Sequence, residues 1–302
     1  MISADPEKLE RYARDIAFRE AWTDLAACWG DEAEEILSRR AFVLFKPETV
    51  LMRRLEEAAA ELERHGFAPV LWRLVRLDRN LVRGVWRYEL AEAPLATLAA
   101  VDVVATAGVC LLVGLRDDRP EPGRYASARL ASLKGPTRQE QRRPGQIRYR
   151  LRSPAVLLNF LHTPDEPADA VRELGVLFAA DERLALFREL RAARDVALEP
   201  AFAAAYAETP PHALDLDASL ALLARGNDAP EATTIATLLR GGAADADDEL
   251  VVRLIRWLDT QAVRLPRPDR AVLAAHLLVL LPRPEGPAAP SYTAGPRLRP
   301  RS

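Results

Sequence analysis

A chain of 302 residues, 49% hydrophobic and 28% charged, has the composition of a folded globular protein with room for roughly two domains. Its 42 Lys and Arg against 44 Asp and Glu leave a net charge of −2, which gives no ground for a nucleic-acid or membrane-surface binder. Cys28 and Cys110 are too few for a disulfide framework or a four-ligand metal cluster. The opening MISADPEKLERYARD lacks the apolar core of a signal peptide and no long apolar run follows, so a reduced, soluble, cytoplasmic protein is expected.

In chain order, Asp5 is placed to cap a helix that begins at Pro6, with Leu9, Tyr12, Ala13 and Ile16 at helical spacing. Trp22, Leu25 and Trp29 form a second apolar surface before Gly30. Residues 1–40 therefore read as a helical extension. From residue 41 strands alternate with helices. Ala41 to Phe45 is a short buried strand. Leu51, Leu55, Ala58 and Leu62 share one helical face that ends at Gly66. Phe67 to Leu77 reads as a second strand and Arg79 to Leu90 as helix. Val109 to Leu115 is a third strand, Ala155 to Leu161 a fourth, and Asp165 to Phe178 a helix. This alternation predicts an α/β or α+β sandwich. Residues 181–281 carry helical patterns broken at Pro210-Pro211, Gly226-Asn227, Gly241-Gly242 and Pro266, which predicts a small helical bundle. From 282 to the end the Pro-rich sequence has too few apolar residues to fold and reads as a disordered tail.

Of the four histidines, His65 complements a helix C-terminus, His212 sits in a loop after two prolines, and His276 lies on an apolar helix; each reads as structural. His162 differs in its company. It ends an apolar strand, with Glu173 eleven residues later, Lys46 after the first strand, and Arg148 upstream. A nucleophilic imidazole needs one free nitrogen and a partner that fixes the other. Phosphoryl transfer also needs cations around the charge on the migrating group.

These residues stand in an order that resembles the nucleoside diphosphate kinase family over residues 41–178. Phe45-Lys46-Pro47 matches the end of that family's first strand, and Gly135-Pro136-Thr137 with Pro144-Gly145-Gln146-Ile147-Arg148 matches its phosphate-binding segment. Asn159-Phe160-Leu161-His162 with Asp165 matches its signature, and Glu173 to Phe178 its closing segment. The resemblance implies an α+β, ferredoxin-like α/β sandwich with an antiparallel sheet. The implied division is 1–40, a kinase-like domain at 41–180, helices at 181–281 and a tail at 282–302.

The resemblance also implies roles. His162 would accept the γ-phosphoryl of a nucleoside triphosphate and pass it to a nucleoside diphosphate or a specialised small-molecule or protein acceptor. Glu173 would fix the ring tautomer, and Lys46, Thr137 and Arg148 would bind phosphates. Lys46 with Asn159 would reach the ribose. Trp86 stands where the family has a tyrosine near the histidine, Leu95 where it stacks a phenylalanine on the base, and Val156 is a further nucleotide contact. Arg129 is the nearest counterpart of a further phosphate-binding arginine, two residues out of register. Mg²⁺ would be carried by the nucleotide phosphates, with no protein metal ligand.

Three departures stand out. Thr163-Pro164 replaces Gly-Ser after the histidine, which removes a serine that supports the glutamate; Glu48-Thr49 replaces Asp-Gly; and residues 116–127 are unlike the family. An altered acceptor admitted by that segment and the added helices is one expectation. A catalytically weak nucleotide-binding sensor whose flanks bind a partner protein is the alternative. The flanks leave open three roles: covering the active site, making homo-oligomer contacts, or docking a partner.

Overall fold

The computed structural model describes residues 2–225, 227–241 and 246–281. The expected tail from 282 lies outside them. Asp5 caps α1 (Pro6–Tyr12) by accepting the Glu7 N–H, and Asp15 caps α2 (Ile16–Trp29) by accepting the Phe18 N–H. Ile16 thus opens a new helix instead of extending the α1 face, and it is 70% exposed. A short α3 (Ala33–Ser38) leads into β1 (Arg40–Phe45).

After β1 the expected single helix is two, α4 (Pro47–Leu51) and α5 (Leu55–Arg64), separated at Arg53, whose φ of 56° no helix accommodates. β2 (Phe67–Val75) follows, then α6 (Arg79–Val85) and α7 (Arg87–Leu90), parted at Trp86. Next come α8 (Leu95–Ala105), β3 (Cys110–Asp117), α9 (Ala126–Lys134) and α10 (Ile147–Leu151). The fourth strand shrinks to β4 (Leu161–His162). Residues 155–160 are apolar because they pack, not because they extend; an apolar run alone does not distinguish the two.

The sheet order is β2-β3-β1-β4 with every neighbour antiparallel. This is the ferredoxin-like arrangement. Helices cover both faces, which is why β1 reads as an unbroken apolar run. Phe42 and Leu44 face a core shared with α2, α11 (Pro167–Leu177) and α12 (Ala180–Ala192). Val43 and Phe45 face α5, α9, α10 and α13 (Glu199–Glu208). Gly175 allows α11 to lie directly on α2, since a Cβ there would run into the Ala17 carbonyl.

The remaining helices are α14 (Leu216–Ala224), α15 (Pro230–Leu239), α16 (Asp248–Thr260) and α17 (Arg267–Val279). They build a core with α8, in which Ala96 and Ala100 meet Leu254, Leu258, Leu273 and Leu277. α8 (LATLAAVDVVA) is apolar almost all round, as a helix buried between two layers must be. Val272 and Ala275 of α17 also touch Leu158, next to Asn159. Among the described residues no helix is long and apolar enough to cross a membrane.

Candidate active site

His162 is set in place by the turn that precedes it. β4 holds its backbone opposite Leu44. Just before, Phe160 takes a φ of 70°, a conformation that costs a bulky residue on the order of 1–3 kcal/mol and needs firm support. Support comes from the start of α4. The Lys46 N–H donates to the Phe160 carbonyl at 2.8 Å, and the Thr49 hydroxyl donates to the same oxygen. Glu48 Oε1 accepts the Phe160 N–H at 2.9 Å. The Glu48-Thr49 departure therefore serves as the clasp of this turn.

Lys46, Arg148 and Asn159 converge on the same segment. Lys46 Nζ donates to the Leu157 carbonyl (2.6 Å) and Asn159 Oδ1 (3.2 Å), and lies 3.0 Å from Glu48 Oε1. Arg148 donates to Asn159 Oδ1 (3.1 Å), the Leu161 carbonyl (2.7 Å), the Gly135 carbonyl (3.0 Å) and Thr137 Oγ1 (3.2 Å). Asn159 Nδ2 donates to the half-buried Val156 carbonyl at 2.8 Å. Both cations thus spend donors on the loop that carries His162. Burial pushes the Arg148 guanidinium down to about 9, with nearby Arg142 adding to the shift.

The imidazole is held on both nitrogens. Trp86 Nε1 lies 3.3 Å from His162 Nδ1, and Glu173 Oε2 lies 2.8 Å from Nε2. An indole N–H can only donate, so Nδ1 carries the lone pair and Nε2 carries the proton that it donates to Glu173. The Trp86 ring meets the imidazole edge-on, centroids 5.2 Å apart at 76°. Burial, then the Lys134 charge, pushes the His162 pKa down to about 3, so the ring is neutral. Burial and the neighbouring Asp169 push Glu173 well up. The arrangement presents a neutral imidazole with a defined nucleophilic nitrogen.

Lys134 is a site residue that the sequence reading missed. It ends α9, its Nζ donates to the Thr163 carbonyl at 3.1 Å, and it lies 3.5 Å from Asp165 Oδ1. Burial pushes its ammonium pKa down. Its signal was weak because a lysine in the last turn of a helix ordinarily complements the helix dipole. The position directly before Gly135 was the available clue.

Arg129 is elsewhere. It donates to Asp117 Oδ1 (2.9 Å) and the His65 carbonyl (2.6 Å) and lies over the Phe67 ring. Leu112 pairs with Leu44, which pairs with His162, whereas Asp117 is five residues further along β3. That is about 17 Å at the rise of a strand. The two-residue register offset expected at Arg129 turns its side chain to the far end of the sheet. The segment after β3 is at that end too: Arg116 pairs with Asp118 and Asp195, and Arg119 packs at Gly66. It does not border the His162 cleft.

Leu95, 58% exposed, lies at the lip of a groove of about 920 Å³ between α6, α8 and the α16–α17 pair. Arg79, Arg83, Asp102, Arg256 and Arg267 also line it. The other histidines are tied down locally. His212 Nδ1 accepts the Leu214 N–H and its Nε2 lies 3.2 Å from Asp269, while His276 Nδ1 donates to the Val272 carbonyl.

Comparison with known proteins follows the same residues. The family model described as nucleoside diphosphate kinase matches residues 39–183. The nucleoside diphosphate kinase of Pyrococcus furiosus is 27% identical over 145 residues, 47% of this chain and 84% of that protein. That of Archaeoglobus fulgidus is 29% identical over 143 residues, 47% of this chain and 88% of that one. Among solved structures, the Halobacterium salinarum nucleoside diphosphate kinase in complex with CDP is 22% identical with a TM-score of 0.40, covering 48% of this chain and 90% of that one. Residues 39–183 of this chain form a domain of the nucleoside diphosphate kinase family.

Proposed function

We propose that the chain moves the γ-phosphoryl group of a nucleoside triphosphate to a diphosphate acceptor through a covalent intermediate on His162. The observation that carries this reading is the doubly held, neutral imidazole, with its lone pair on Nδ1 and its proton on the side of Glu173. The Nδ1 lone pair forms a bond to the γ-phosphorus while the bond to the β–γ bridging oxygen breaks, and the nucleoside diphosphate leaves with that electron pair. A terminal oxygen of the acceptor then displaces Nδ1 from phosphorus and restores the neutral ring. Glu173 steadies the positive charge that the ring gathers while it is phosphorylated.

Trp86 must yield the Nδ1 lone pair before attack, and a 3.3 Å hydrogen bond is weak enough to be given up. Lys134, Arg148 and Lys46 supply positive charge, the latter two after exchanging part of their contacts with the 155–161 loop for phosphate oxygens. Mg²⁺ carried by the nucleotide phosphates would neutralise charge on the migrating group.

Incubation with γ-labelled ATP is expected to give an acid-labile, base-stable label on the wild-type protein and none on His162→Ala. Nucleotide binding should persist in that variant. Full labelling of His162→Ala would exclude the mechanism. One observation favours the second reading, a nucleotide-binding module with little turnover: Lys46 and Arg148 are already engaged and Trp86 covers the nucleophile. Nucleotide binding by the wild type without any label would select it.

A specialised acceptor would be admitted by the added helices, and Leu95, in the groove where they meet the kinase-like domain, would leave base recognition loose. With an aliphatic side chain in place of a stacking ring, ATP and GTP should phosphorylate His162 at rates within about tenfold, a window of roughly 1.4 kcal/mol. Isolated phosphoenzyme should be discharged slowly by ordinary nucleoside diphosphates. Rapid discharge by all of them would mark a conventional kinase.

A further inference from the structure

The two groups that hold His162 are themselves held by the N-terminal helices. Glu173 lies on α11. One turn earlier on the same helix, Asp169 accepts the Tyr12 hydroxyl at 2.6 Å through Oδ1, and Lys8 Nζ at 3.0 Å and the Glu166 N–H at 3.0 Å through Oδ2. Glu166, which precedes α11, takes the other side of the same ammonium at 2.8 Å. It also accepts the Ser3 hydroxyl at 2.6 Å and the Ala4 N–H at 3.0 Å. The start of α11 is thus docked on residues 3–12 through buried, directed hydrogen bonds.

Arg172, next to Glu173, ties in the second group. Its Nε donates to Asp15 Oδ2 at 2.9 Å, and both side chains are only 3% exposed. The other two nitrogens donate to the carbonyls of Val85 and Gly84, the last residues before Trp86. Tyr88, just beyond Trp86, donates to the same Asp15 oxygen at 2.8 Å and lies under the Arg172 guanidinium. One guanidinium therefore fixes the end of α6 that aims Trp86 and the turn of α11 that aims Glu173, and the N-terminal Asp15 fixes that guanidinium.

The chain also lacks the serine that in the resembling family supports the glutamate; Pro164 stands there and cannot donate. Resting on the phosphohistidine reading above, we propose that Lys8, Tyr12 and Asp15 are positioning residues, and that the N-terminal helices replace this missing support. They hold Glu173 and Trp86 in the geometry that keeps the His162 lone pair on Nδ1. A carboxylate at Asp169 left without Lys8 would sit one turn from Glu173 and repel it, in a setting where burial leaves like charges poorly screened.

The test compares Lys8→Met, Asp169→Asn and the double variant in the full chain. Two quantities are read per folded molecule: the rate of His162 phosphorylation by ATP, and the ring tautomer from the two ¹⁵N shifts of His162. Lys8→Met is expected to slow phosphorylation at saturating ATP by about ten- to a hundredfold with the half-saturating ATP concentration little changed. It should also mix the tautomers. Adding Asp169→Asn should recover the rate to within about threefold of wild type, because the uncompensated charge is then gone. A role in stability alone predicts a lower melting temperature with unchanged rate and tautomer per folded molecule, and that result overturns the proposal. So does a double variant no better than Lys8→Met. Should the wild type form no phosphohistidine, the kinase reading fails by itself. The tautomer shift in Lys8→Met then still decides the positioning role.

Discussion

The two flanks of the kinase-like domain both bury apolar helix faces, and the N-terminal flank adds a directed polar network on α11. The N-terminal helices pack an apolar face of α2 on α11, with Ala21 and Leu25 in one core with Val171 and Leu174, and add buried ion pairs and hydrogen bonds, among them Lys8–Asp169, Tyr12–Asp169 and Asp15–Arg172. The C-terminal helices dock on α8 through Leu254, Leu258, Leu273 and Leu277. Hydrogen bonds fix direction, and a carboxylate that moves by an ångström loses its partner. Apolar contact is non-directional and scales with buried area. The flank that borders Glu173 and Trp86 adds the first kind of contact to its apolar face, and the flank that covers α8 relies on the second.

The contrast breaks or holds on a graded set of variants. Arg172→Met, the largest expected effect, leaves Asp15 buried without its cation and should lower stability by about 3–5 kcal/mol in chemical denaturation. It should also mix the His162 tautomers, since both Trp86 and Glu173 lose an anchor. Leu273→Ala empties a site in the C-terminal core and should lower stability by about 2–5 kcal/mol. Its His162 shifts and its phosphorylation rate per folded molecule should match wild type. If Leu273→Ala disturbs the tautomer as much as Arg172→Met does, the two attachments are not different in kind.

Trp86→Phe keeps the ring contact but removes the indole donor, and with it a hydrogen bond worth about 1 kcal/mol net. The expected result is a second tautomer visible in the ¹⁵N spectrum, with little change in melting temperature. The smallest effect is a matter of pH. With its pKa pushed down to about 3, His162 should stay neutral at pH 5, where its ring shifts should be those of neutral imidazole. The sign for stability follows. Between the unfolded value of about 6.5 and the folded value the unfolded chain binds the extra proton, so this histidine destabilises the fold as pH falls through that window. Burial of Glu173 acts in the opposite sense, because its raised pKa favours proton uptake by the folded state. His162→Gln should therefore show a shallower loss of stability on the acid side.

The local sequence carried a large part of this protein. The apolar run of β1, the amphipathic α5 stopped at Gly66, and the order Lys46, Arg148, Asn159, His162, Glu173 were legible because each depends on periodicity or on spacing along the chain. Alternation and apolar length also identified three strands and nearly their limits. What only the tertiary structure decided has a common cause: residues far apart in sequence share one partner. Ala155 to Phe160 is apolar like a strand, yet Lys46, Glu48 and Thr49 hold it as a turn. Arg129 has the right charge near the right motif, but Asp117 captures it at the other end of the sheet. Lys134 became a neighbour of His162 through its contact with the Thr163 carbonyl. The first fifteen residues read as an extension, since nothing local in Lys8, Tyr12 and Asp15 reveals that their partners are Asp169 and Arg172, more than 150 positions away. Helix and strand propensity act over a few residues, whereas a buried charge takes whichever counter-charge the fold brings to it.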